Sequence, residues 1–143
     1  MNIQATANHE RISTCPADCE NTIIRTLLKL GIPANTKGFH YIKIALMYGV
    51  ESPIALTSMS KIIYPAIANY YYSVSASSIE RAIRYAIAQS TQRGDSELIS
   101  QIFGYTDSLK YYNPTNREFL AVVSEYIREM HSNSSSVQHY VSA

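Results

Sequence analysis

The 143-residue chain is 46% hydrophobic with a formal net charge of +1, enough apolar material for one domain with a real core. It is too near neutrality for bulk charge to argue nucleic-acid binding, so such a role has to rest on a local basic patch. No stretch approaches the ~18 consecutive apolar residues of a membrane span and the N-terminus has no apolar signal core, so the expected location is the cytoplasm, away from any membrane.

Residues 1–17 are polar and aperiodic and read as a flexible N-terminal arm. Cys15 and Cys19, with His9 upstream, are too few ligands for zinc, so ordinary reduced thiols are expected and no cofactor is implied. A first helix is predicted from Asp18 to Gly31, with Pro33 just beyond and an apolar stripe of Ile23, Ile24, Leu27, Leu28 and Leu30. A second starts near Lys37 and turns Phe39, Ile42, Ala45, Leu46 and Val50 inward, leaving Lys37, His40 and Lys43 outside, until Pro53 interrupts it. Pro65 fits the first turn of a short helix over 65–72, preceded by a helical turn near 56–63.

The next helix is "ASSIERAIRYAIAQSTQR", residues 76–93, ended by Gly94. At 100° per residue, Ile79, Ala82, Ile83, Ala86 and Ile87 share one sector, while Ser77, Arg81, Arg84 and Ala88 lie opposite. Either Ser75 or Ser77 can cap it, the latter through the pattern S-x-x-E with Glu80. "SELISQIF" forms a short helix closed by Gly104. The last helix begins at a capping box of Thr115 and Glu118 and carries Phe119, Val122, Val123, Tyr126, Ile127 and Met130. The serine-rich residues 132–143 read as a disordered tail. Residues 18–131 therefore form an all-α bundle of about six helices, and the fourth element follows the third after a turn of three or four residues, the layout of a helix-turn-helix.

A helix laid in the major groove offers base edges its outward N-terminal half. There an arginine donates two bonds to guanine and a carboxylate accepts from cytosine, chemistry that Arg81, Arg84 and Glu80 possess. Lys37, Lys43, Lys61 and Arg93 are suited to phosphates, which set register without carrying sequence information. The plainer reading of Glu80 and Arg84 is a solvated i, i+4 pair worth a few tenths of a kcal/mol. Catalysis is not expected, since His40 and His131 lie on separate helices with no nucleophile or paired carboxylates beside them.

"YPAIANYYYSVSASSIERAIRYAI", followed by "RG", "IFGYT" and "PTNREFLA", resembles the C-terminal DNA-binding domain of the stage-zero sporulation master regulator A family of endospore-forming bacteria. The likeness begins at "LLKLGIPANTKGFHYIKIAL" and covers roughly residues 20–130 in order. It implies a transcription factor that binds double-stranded DNA at boxes of the TGTCGAA type, often as two copies on tandem sites. Residues 76–93 would be its recognition helix, with Ser77, Glu80, Arg81 and Arg84 on the family's DNA-contacting pattern. With the neighbouring serines included, the candidate base-reading set is Ser77, Ser78, Glu80, Arg81 and Arg84, and the phosphate set is Lys37, Lys43, Lys61, Ser75 and Arg93.

The resemblance also places Ser96, Glu97, Ser100 and Gln101 where the family contacts the RNA polymerase sigma factor. The chain departs from the family at Ser78, where an arginine is usual, at Tyr85, where a histidine is usual, and in "DSLKYYN". Residues 1–17 are too few for the family's phosphoacceptor receiver domain, so the expectation is an effector domain without it. The alternative is an interaction module that kept the fold, lost strong DNA binding and acts on polymerase or a related regulator. Ser78, the near-neutral charge and the tyrosines of "NYYYS" and "KYYN" motivate it.

Overall fold

The structure, a computed structural model, describes residues 17–104 and 113–142. Within them lie six helices: α1 (Ala17–Lys29), α2 (Lys37–Glu51), α3 (Tyr64–Tyr71), α4 (Ala76–Arg93), α5 (Ser96–Phe103) and α6 (Asn116–Ser142). A 3-10 turn (Pro53–Thr57) and one π-helical turn (Met59–Ile63) join α2 to α3, and no strand occurs among the described residues. Residues 1–16 of the expected arm, with His9 and Cys15, lie outside the described residues, as does most of "DSLKYYN", while Ala17 already belongs to α1.

The bundle is built round α2, which packs against α1, α3, α4 and α6. Its amphipathic pattern predicts one buried stripe, yet Phe39, Tyr41, Ile42, Ile44, Ala45, Leu46, Met47 and Gly49 are all buried. A helix contacted from several sides needs an apolar surface nearly all round, and this sequence supplies it except at Lys37, His40, Lys43 and Glu51. Thr36 caps α2, its hydroxyl accepting from the Phe39 amide at 3.3 Å. On α1, Ile23, Leu27 and Cys19 are buried, whereas Leu28 points outward at 49% exposure. Cys19 is thus a core residue of the first helix.

Two contacts fix the ends of these helices. The Arg128 guanidinium, on α6, donates from Nη2 to the Gly49 carbonyl at 3.0 Å and from Nε to the Val50 carbonyl at 3.3 Å. A cation is thereby placed at the C-terminal end of α2, where unsatisfied carbonyls concentrate negative potential, and Glu125 pairs with the same guanidinium. At the other contact, Gly31 (φ +84°) meets the end of α4 so closely that a Cβ there would lie 2.5 Å from the Gly94 nitrogen. The Asp95 amide donates to the Lys29 carbonyl at 2.9 Å across this joint.

α6 is longer than its apolar pattern predicts, running to Ser142 through the segment expected as a tail. No Gly or Pro occurs between Asn116 and Ser142 to stop the helix, and serine is only a moderately poor helix former. Its apolar face is shifted slightly from the predicted one: Leu120 and Ser124 are buried with Phe119, Val123 and Ile127, while Met130 is 40% exposed.

Candidate nucleic-acid interface

The interface is assembled from α3, the turn after it, α4 and the first residues of α6. Pro65 sits in the first turn of α3, directly after the π-helical turn, and Ile67 anchors that helix in the core with no exposed surface. Tyr71, at the end of α3, lies edge-on to Tyr41 of α2 with ring centroids 5.3 Å apart. The following turn is tight: Tyr72 and Ser73 both take positive φ, at 43° and 61°, although neither is glycine. Ser75 then caps α4, its hydroxyl accepting from the Ser78 amide at 3.2 Å and donating to the Ser78 hydroxyl at 2.9 Å. Of the two serines able to cap this helix, Ser75 therefore takes the role, and Ser77 stands exposed within the first turn.

Along α4, Ile79, Ile83, Ala86 and Ile87 are buried, Ala82 is half-buried, and Ser77, Ser78, Arg81, Arg84, Tyr85 and Ala88 are exposed. The isoleucine side rests on α2 at close range. A Cβ at Gly38 would come within 2.5 Å of the Ala82 carbonyl oxygen and 2.7 Å of the Ala86 Cβ, so only glycine permits this crossing. The outward face is free of covering segments among the described residues. Arg84 donates to Glu80 Oε1 at 2.7 Å, and its side chain is still 66% exposed. A pair this exposed is worth a few tenths of a kcal/mol, so a stronger acceptor can displace it.

Two shallow grooves flank the helix. One is lined by Ser75, Ser78, Arg81 and Tyr85 of the helix-turn-helix together with Lys37 and Tyr41 of α2. The other lies between Glu80 and Arg84 on one side and Tyr64 and Pro114–Arg117 on the other. Asn116 holds the second groove together: its Nδ2 donates to the Glu80 carbonyl at 3.0 Å and to the Tyr64 hydroxyl at 3.3 Å. Burial pushes the Tyr64 hydroxyl above the usual tyrosine value, with the Asn116 bond pulling the other way. The phenol therefore stays neutral over the ordinary pH range.

The structure gathers part of the expected phosphate set and scatters the rest. Lys37 and Ser75 border the first groove beside Arg81. Lys43, by contrast, is only 24% exposed and pairs with Glu20 of α1 at 3.2 Å, on a different side of α2. Lys61 is exposed in the π-helical turn, and Arg93 is exposed at the far end of α4, about 18 Å along the helix from Arg81. On α5, Ser96, Glu97 and Gln101 are exposed and Ser100 is half-buried. Sequence reading missed Asn116 and Arg117, because nothing local in "PTNRE" shows which part of the chain the start of α6 will touch.

A family model described as the C-terminal region of sporulation initiation factor Spo0A matches residues 23–127, well over half of the chain. The chain belongs to that family. The matched span runs from α1 into α6 and includes the whole helix-turn-helix. As a Spo0A C-terminal domain it is a DNA-binding effector domain concerned with regulating transcription, and the family is not one of enzymes. Among the described residues no helix is long and apolar enough to cross a membrane.

Proposed function

We propose that the chain is a sequence-specific regulator that lays α4 in the major groove of a duplex carrying a box related to TGTCGAA. Arg81 and Arg84 donate to guanine edges, Glu80 accepts from a cytosine amine, and Ser77 and Ser78 contribute shorter contacts. Lys37 and Ser75 meet phosphates on one wall of the groove, and Lys61 and Arg93 are more distant phosphate candidates. Lys43 is proposed only as an indirect contributor, since Glu20 already neutralises it.

The observation that carries this reading is the division of α4 into a buried isoleucine face and an exposed arginine face that nothing in the described chain covers. The exposed residues Ser96, Glu97 and Gln101, with Ser100 beside them, are proposed as the surface toward RNA polymerase sigma factor. Two copies on tandem sites are proposed as the bound form.

The test is a binding titration with a duplex bearing the box and a duplex of scrambled sequence. Arg84→Ala is expected to weaken binding to the box by about 1 to 3 kcal/mol and to change binding to the scrambled duplex little. Equal losses on both duplexes would remove base reading from the proposal. The alternative, a module that works through protein contacts, draws support from the exposed Tyr72 and Tyr85. An unretarded box duplex at low salt would leave that alternative standing alone.

A further inference from the structure

Arg117 is the second residue of α6, exposed, and belongs to none of the ion pairs among the described residues, which join Lys43 to Glu20, Arg84 to Glu80 and Arg128 to Glu125. Its position is poor for stability, because the first turn of a helix carries positive potential and prefers acidic side chains. Its position relative to α4 is nevertheless closely held. The preceding residue, Asn116, bonds directly to the Glu80 carbonyl, and Arg117 lines the same groove as Glu80 and Arg84. Across α4, on the opposite groove, Lys37 lies beside Arg81. An exposed cation brought in by another helix therefore stands on each side of the reading helix.

A major groove has a phosphate wall on each side of any helix inserted in it. We infer that Arg117 is a phosphate contact on the wall opposite Lys37, so that the two cations straddle α4 and hold its rotation about its own axis. This rests on the reading of α4 as the groove-inserted helix. Arg117 supplies charge without base information, and the Arg84 side chain next to it supplies the base contact.

The experiment is a salt series from 50 to 200 mM, measuring binding of the full chain to a box duplex and to a scrambled duplex by fluorescence anisotropy. Each phosphate contact contributes about 0.9 to the slope of log affinity against log salt. Arg117→Ala is expected to flatten that slope by about 0.9 on both duplexes, so the loss it causes is about 3.5-fold greater at 50 mM than at 200 mM salt. Arg117→Lys is expected to restore the slope, a recovery that a merely structural role would not give.

An unchanged slope in Arg117→Ala, or a loss confined to the box duplex, overturns the inference. If that happens while Arg84→Ala still loses affinity only for the box, the inference alone fails. If the unaltered chain binds neither duplex in a salt-dependent way, the reading of α4 fails and takes this one with it.

Discussion

The two ends of α4 are held by different means. At its C-terminal end the main chain is locked: Gly31 and Gly94 approach to within the space of a methyl group, and the Asp95 amide bonds to the Lys29 carbonyl. At its N-terminal end the chain enters through a turn with two positive-φ residues, the cap is a serine exposed to solvent, and the side chain tying the helix to α6 is Asn116. The residues with base-reading chemistry all cluster at the second end. The close main-chain joint thus lies at the end away from Arg81 and Arg84, and those two side chains stay exposed.

This contrast can be broken most severely at the locked end. Gly31→Ala forces a side chain into a left-handed backbone and onto the Gly94 nitrogen, and is expected to cost about 3 kcal/mol or more in a denaturant titration. A loss under 1 kcal/mol would mean that the joint has slack. At the N-terminal end, Asn116→Ala removes donors to Glu80 and Tyr64 and is expected to cost about 1 kcal/mol of stability. It should also lower affinity for a box duplex more than for a scrambled one, because α4 loses its tether beside Arg84. Equal loss on both would show that the tether serves stability alone. The smallest effect expected is a gain. Ser73→Gly relieves a φ of 61° and, after allowing for glycine's greater freedom in the unfolded chain, should stabilise the domain by about 0.5 kcal/mol. A destabilised variant would show that the serine side chain contributes more than the backbone strain costs.

Much of this architecture was legible in local signals. Pro65, Ser75, Gly94, Gly104 and Thr115 mark helix ends by chemistry that acts within four residues, and those ends lie where the signals place them. The two faces of α4 follow from spacing alone. Features that depend on residues far apart in sequence were not legible. Arg128 reads as a surface residue of an amphipathic helix until α2 is seen to end beneath it. Lys43 reads as a free cation until Glu20 is placed opposite. Leu28 fits the apolar stripe of α1 by spacing, yet the core does not extend to it. Between Ser75 and Ser77 as the cap, the pattern offered two equally good choices, and only the geometry of the preceding turn separates them.

The bond between Arg84 and Glu80 has a consequence for fidelity in the proposed mode of reading. To turn fully toward bases the two side chains give up this single bond, and each then needs a new counterpart at nearly the same moment. A site offering guanine to the one and a cytosine amine to the other rewards both; a site offering only one leaves a stranded charge. Mismatches at these neighbouring positions should therefore not add independently: the first substitution carries most of the penalty and the second little more.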